Sequence, residues 1–346
     1  MQKLFALVLL VTWFTRIEGF RQSPAMYMKK APDPLKQNVK RVRLTSGFHL
    51  FSAVAAPTEC YDRISPVSFK RQVGFSRAVG LGAGSLLALN WNAVDVAVQS
   101  GYAALRSWSF FHSFAFEPVL ASTCFAIYIA FFAAIDHWVP SLWKYRIQPK
   151  GESGDSMRAW EQRLGDALRF EVPLYLGFWV PFGFIMRARK VQETTSLAII
   201  SKEVVLALLI YDGLFFAGHN LLHRIPALYH KVHRKHHRMR AVRAGDSIRH
   251  TFLDGWWDVV CAVAALMILK ANALSRAVFN VIAIFFIVEA HSGMDFPFSA
   301  SNIIPGGLLA GPRAHDLHHQ LGDRNFQKFF TYLDRLFSSS DAGRAN

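Results

Sequence analysis

Eleven of the chain's 14 histidines lie between His219 and His319. Eight of them fall into three sets: His219 with His223, then His233, His236 and His237, then His315, His318 and His319. A lone His291 stands between the second and third sets. Imidazole suits iron, zinc, copper and nickel, whereas magnesium and calcium want oxygen. Residues four apart on a helix share a face, so His219 and His223 point one way. His233 and His237 do the same, with His236 to one side, and the third set repeats that spacing. Eight imidazoles exceed the roughly four to six ligands of one ordinary ion, and a structural zinc needs only four. The sets therefore suit two metals. Asp212, two turns before His219, lies on the same face, where it could orient a ligand. His49, His112 and His137 read as ordinary histidines. His230 and His250 each remain open as a ligand, an orienting group or a surface residue.

The elements that must position these residues are apolar. The chain has 346 residues, enough for one large domain or two modest ones. It is 52% hydrophobic, with 30 Phe and 9 Trp, and the apolar residues come in blocks. That favours a membrane protein. The net charge of +15 suits cytoplasmic-side loops and anionic lipid. Nucleic-acid binding is excluded as the better reading, because no recognition motif accompanies the basic residues. Cys60, Cys124 and Cys261 are too scattered for a disulfide framework or a thiolate metal site.

In chain order, residues 1–75 read as a basic N-terminal tail, with an apolar start of signal-peptide length and a transit-like, acid-poor continuation. Residues 76–195 read as membrane helices and a polar connector. Within them, Ala78 to Val94 is a weak span or a re-entrant helix, and Val119 to Ile135 is a strong span. A mixed-charge helix is expected from Met157 to Phe170, capped by Ser156, and a proline-containing apolar segment from Val172 to Met186. Residues 196–340 hold the histidine sets, and 341–346 form a tail. Leu197 to Ala217 is apolar and runs into the first histidine pair. Val259 to Leu269 and Ala277 to Val288 are short for spans and could form a hairpin or buried supporting helices. The expected fold is all-α: a polytopic membrane protein of about four transmembrane helices, with a helical histidine-rich domain at the membrane.

The histidine half resembles the fatty acid hydroxylase and sterol desaturase superfamily of membrane-bound di-iron oxygenases. That family carries a His-x-x-x-His set followed by two His-x-x-His-His sets, matched by His219 and His223, by His233, His236 and His237, and by His315, His318 and His319. Leu228-Tyr229 has the family's spacing before the second set. Glu289-Ala-His291-Ser-Gly-Met-Asp-Phe-Pro297 is similar to a segment of sterol C4-methyl oxidases. Phe329-Phe-Thr-Tyr-Leu-Asp334-Arg335-Leu-Phe337 is similar to the family's closing motif. The sequence departs from the pattern at Gly218 and Asn220, at Met294, and at His250-Thr-Phe-Leu-Asp254, where many members carry His-Pro-hydrophobic-Glu.

The resemblance implies two non-haem irons, O2, and oxidation of a membrane lipid by hydroxylation, methyl oxidation or desaturation. It tilts the substrate toward a sterol, with a fatty acyl or sphingoid-base hydroxylase as the alternative. It makes His291 an added ligand, and Glu289, Asp295 and Asp316 candidates for orienting histidine tautomers, beside Asp212. Asp334 is a further candidate, or else an ion pair with Arg335. Electrons must come from outside, since the sequence has no nucleotide-binding glycine fingerprint and no haem or iron–sulfur motif. The donor expected in the endoplasmic reticulum is cytochrome b5 with its reductase, and in a plastid membrane it is ferredoxin. A non-catalytic membrane metal-binding or transport protein is the competing class. A transporter would distribute polar ligands through its spans, whereas these sets lie at helix ends.

Overall fold

The computed structural model describes residues 64–148, 191–239, 241–337 and 339. Residues 1–63 of the expected tail, the Met157–Phe170 helix, the Val172–Met186 segment, His49, Cys60 and residues 341–346 lie outside them, whereas residues 66–75 of that tail are helical. Eight helices organise the described residues: α1 Pro66–Leu89, α2 Trp91–Ser107, α3 Phe116–Trp138, α4 Leu197–Arg224, α5 Phe252–Ile268, α6 Ala273–Ala290, α7 Gly311–Leu321 and α8 Tyr332–Leu336. Short single-turn helices join them. No strand occurs among the described residues, only isolated bridges, Arg146 to Met294 and Leu309 to Phe330. The fold is all-α.

Capping fixes where the long helices begin. Ser196 accepts from the Ile199 amide at the head of α4, and Thr251 from the Asp254 amide at the head of α5. Asn272 caps α6 through the Leu274 amide. Lys270, in left-handed backbone at φ 50°, turns the chain between α5 and α6. The chain reverses there, and both helices pack against α4.

Contacts at the helix ends give the bundle two poles. At one pole Arg276, near the start of α6, holds Glu117, near the start of α3, through two 2.7 Å bonds. Glu203 of α4 accepts from the Asn272 amide there. At the other pole Asp136, late in α3, pairs with Arg146 at 2.6 Å and Arg243 at 3.5 Å. Thus α3, α4 and α6 run toward the same pole and α5 returns from it. The core among them is apolar and aromatic: Tyr211, Phe215, Cys261, Phe279, Ile287 and Phe329 are all buried in it.

Two helices, α3 and α6, are long and apolar enough to cross a membrane. The α1–α2 pair passes the same test jointly but bends by 78°. The expected Ala78–Val94 segment is thus broken at Asn90 rather than continuous. The first half of α1 meets one pole, where Arg77 donates to the Asn302 carbonyl and Tyr145 to Gln72. By contrast, α2 meets the other, where Tyr102 donates to the Gln192 carbonyl and Asp95 accepts from the Leu197 amide. So α1 crosses between poles and α2 lies along one of them. The described residues therefore offer two spans, or three if the bent α1–α2 pair is counted as one. The expected Leu197–Ala217 and Val259–Leu269 segments lie in α4 and α5, which do not pass that test.

Candidate metal centre

Nine imidazoles gather at the pole where α3, α4 and α6 end. His219, His223, His233, His237 and His318 each offer a nitrogen, and these lie within 4.8 Å of one another. His236, His291, His315 and His319 form a second group within the same limit. Neither group contains a carboxylate.

Local structure explains how three sequence sets become two groups. His219 and His223 occupy the last turns of α4, which ends as Pro226 follows. The second set is not the regular helix expected from its spacing. Tyr229–His233 is a π-helical turn, and His236–Arg238 a 3-10 turn. Such wide turns recur at functional sites. Here His233 and His237 enter one group and His236 the other. In α7, His315 and His319 share a face and one group, and His318 turns to the other. Gly322, at φ 72°, closes α7 in the left-handed region open to glycine.

Hydrogen bonds fix the tautomers. His219 Nδ1 donates to the Phe326 carbonyl at 2.7 Å, and His318 Nδ1 to that of Arg324 at 2.7 Å. His291 Nδ1 donates to the Ile287 carbonyl at 2.7 Å. His233 Nδ1 donates to Asp254 at 2.9 Å. Burial alone would raise Asp254, but the adjacent His233 holds it below the usual carboxylate range, so it accepts as a carboxylate. In the neutral ring each of these Nε2 atoms carries a lone pair.

Those lone pairs face one another. His219 and His233 Nε2 are 3.1 Å apart, and His318 and His237 Nε2 also 3.1 Å. In the second group His315 Nε2 lies 2.8 Å from His291 Nε2 and 3.2 Å from that of His319. His223 Nε2 is also buried without a hydrogen-bond partner. Converging acceptors of this kind are unfavourable unless a cation satisfies them. At five of these rings protons are excluded as that cation near neutrality. Burial, then the neighbouring imidazoles, push His236, His315 and His319 well below the ordinary histidine range. Burial pushes His291 and His318 down to about 3. The donor set fits imidazole-preferring transition metals.

The acids proposed from sequence do not touch the imidazoles. Asp212 accepts from the amides of Lys328, Phe329 and Phe330 at 2.8–3.0 Å, and from Gln327. Asp334 accepts from the Phe326 and Gln327 amides. Both acids anchor the loop whose Phe326 carbonyl holds His219, so they act one step removed. Arg335 donates to the Gly306 and Gly307 carbonyls instead of pairing with Asp334. Asp316 takes both Gln148 and Gln320 amides. Asp295 accepts from Asn302 at 2.7 Å and pairs with Arg313 at 3.5 Å. Glu289 is buried in the last turn of α6. Among the described residues it makes no hydrogen bond to a histidine. His230 and His250 lie outside both groups, as do His112 and His137.

Asp254 was the site residue hardest to find in sequence. It closes His250-Thr-Phe-Leu-Asp254, a departure from the family's pattern, and that was its only signal. The carbonyls of Ile287, Arg324 and Phe326 leave none. Gly218 also finds its reason: a Cβ there would overlap the Trp257 indole.

The sequence model of the fatty acid hydroxylase family matches residues 204–339. The cholesterol 25-hydroxylase of Rattus norvegicus is 30% identical over 260 residues, 70% of this chain and 80% of that protein. That of Homo sapiens is 29% identical over 247 residues, 68% of this chain and 87% of that protein. A very-long-chain aldehyde decarbonylase of Oryza sativa subsp. indica is 28% identical over 200 residues, 57% of this chain and 73% of that protein. No solved structure matches the chain.

Proposed function

The chain belongs to the fatty acid hydroxylase family, and from that premise we propose that it is an O2-dependent, di-iron lipid hydroxylase acting on a sterol. The observation that carries the reading is the pair of buried, carboxylate-free imidazole groups at one pole of an apolar bundle. One iron would be held by His219, His223, His233, His237 and His318, and the other by His236, His291, His315 and His319. Iron in such sites supplies O2 activation and hydrogen removal from an unactivated C–H bond.

The chain's own residues do the rest. Asp254 and the Ile287, Arg324 and Phe326 carbonyls hold the Nδ1 protons and keep Nε2 lone pairs aimed inward. Phe215, whose ring centre lies 4.9 Å from that of His219, and Phe326, at 5.8 Å, exclude water beside the first group. The apolar bundle lets a lipid arrive sideways from the bilayer, and α3 and α6 anchor the pole in the membrane.

Electrons come from a separate protein. Arg224, Lys231, Arg234, Lys235 and Arg238 are exposed around the segment bearing His233, His236 and His237. That basic surface suits an acidic donor: cytochrome b5 with its reductase in the endoplasmic reticulum, our preferred location, or ferredoxin in a plastid. The sterol assignment draws on the cholesterol 25-hydroxylase relatives and on the Glu289–Pro297 segment.

The test is turnover by detergent-purified protein with a reductant, sterols and 18O2. We expect two irons per chain and labelled hydroxysterol, both lost in H318A. Iron-loaded protein that oxidises no sterol but does oxidise a fatty acyl chain would replace the substrate. Unchanged turnover in H318A would overturn the centre itself.

A further inference from the structure

An ion pair lies inside the apolar bundle beneath the histidines, and no step above uses it. Lys328 Nζ lies 2.7 Å from Asp258 Oδ2, and Tyr211 donates a short hydrogen bond to Asp258 Oδ1. The Lys328 side chain is 6% exposed and that of Asp258 is 20% exposed. Two helices place the group independently. Tyr211, Phe215 and His219 are successive i, i+4 positions on α4, so Tyr211 lies two turns below the first histidine. Asp254 and Asp258 are likewise four apart on α5, so Asp258 lies about 6 Å deeper than the acid that holds His233. The Lys328 ammonium sits 3.9 Å from the centre of the Phe215 ring. That same ring packs against His219.

Ionised groups in an apolar interior are costly unless they are paired and fully hydrogen-bonded. This one is incompletely satisfied. An ammonium carries three donors. Asp258 takes one, the Phe215 face meets the charge, and no other acceptor among the described residues bonds it. As a mere staple the pair would leave two of the ammonium's N–H groups without an acceptor among the described residues. The loop carrying Lys328 is itself pinned by Asp212, through the Lys328 amide at 2.8 Å, so the ammonium is held in place rather than wandering.

We propose that Lys328, positioned by Asp258 and Tyr211, donates a hydrogen bond to an oxygen of the bound lipid beneath the metal groups. The residue thereby selects lipids bearing a hydroxyl or carbonyl over hydrocarbons of the same shape. The inference rests on the lipid-hydroxylase reading and adds the polar group by which the substrate is recognised. A charged donor satisfied only by such an oxygen gives roughly tenfold or greater discrimination.

The experiment uses iron-loaded full-length protein in nanodiscs and two matched pairs, cholestanol with cholestane and 1-hexadecanol with hexadecane. Binding is read by competition against the labelled alcohol. K328M alone would strand the Asp258 charge, so the K328M/D258N double variant is compared with wild type and K328R, with iron content confirming the fold. We expect wild type to prefer the alcohol about tenfold in at least one pair. K328R should retain that preference and K328M/D258N should lose it. Equal binding of alcohol and hydrocarbon by wild type, or an unchanged preference in the double variant, overturns the proposal. Either result leaves the hydroxylase reading standing if labelled product still forms. Absence of labelled product from every lipid, with alcohol preference intact, instead removes the hydroxylase reading alone.

Discussion

The two histidine groups differ in how their members are held. In the five-membered group, His219, His233 and His318 each have Nδ1 tied to a carbonyl or carboxylate at 2.7–2.9 Å. In the four-membered group only His291 is tied in this way, to Ile287. His236 Nδ1 and His319 Nδ1 are buried without partners. One group is therefore aligned before any metal arrives, and the other is aligned mainly by packing. Outer hydrogen bonds fix ring orientation and raise ligand basicity. The first group should bind early and tightly, and the second should exchange.

The largest effects test whether these are two sites at all. H233A removes a ligand from the five-membered group, and H315A one from the four-membered group. Each should lower turnover by at least about 100-fold. Each should also lower iron from two per chain to one, read by elemental analysis. If either variant empties both groups, the division into separate sites is wrong.

A smaller effect concerns exchange. On adding a chelator to loaded protein, one metal should leave at least about tenfold faster than the other. Mössbauer spectra of samples quenched during release would assign the fast metal to the His236–His291–His315–His319 group. D254N removes the carboxylate that aligns His233 and should narrow the gap by speeding the slow phase. A single release phase in wild type would erase the proposed difference in preorganisation.

Acid should expose the same physics in metal-free protein. His291 and His318 are depressed from 6.5 to about 3 in the fold. Between those values the unfolded chain binds protons that the folded chain refuses. Stability is therefore intact above about pH 6.5 and falls as pH drops toward 3, by up to about 1.4 kcal/mol per unit for each such histidine. Thermal unfolding at pH 7.5 and 5.5 measures it: the metal-free protein should lose several degrees and the loaded protein less. A metal-free midpoint that does not move would mean the imidazoles are not buried neutral.

The candidate ligand set was legible because its chemistry is carried by side chains at helical spacing. His233 with His237, and His315 with His319, were paired by that spacing alone. What spacing could not reveal is how the sets interleave. His318 joins His219 across about 100 residues because α7 folds back over the end of α4, a tertiary fact. The tautomer holders were mostly illegible, since carbonyls such as Phe326 have no sequence signature. Asp212 was expected to orient a ligand from its position on α4, but its partners are backbone amides 116–118 residues away. The fold class followed from apolar blocks. The break at Asn90 did not, because the residues on both sides are equally apolar and only contacts with opposite poles bend the chain.

Asp316 gives the smallest expected effect and the cleanest test of proximity in sequence against contact in space. It adjoins His315 in the chain and is buried, yet its carboxylate bonds Gln148 at 2.7 and 2.8 Å and Gln320 at 2.7 Å rather than an imidazole. Burial pushes it up to about 6, against the pull of those amides. It therefore ties α7 to the segment after Arg146 without setting any ring's orientation. D316N keeps the shape and loses the charge. It should cost about 1 kcal/mol of stability while changing metal release from either group by less than about threefold. The contrast with D254N is the informative quantity, because both acids are buried and both stand next to or opposite a ligand histidine. A D316N chain that sheds metal as fast as D254N would mean that charge near the groups, rather than a hydrogen bond to Nδ1, is what holds them.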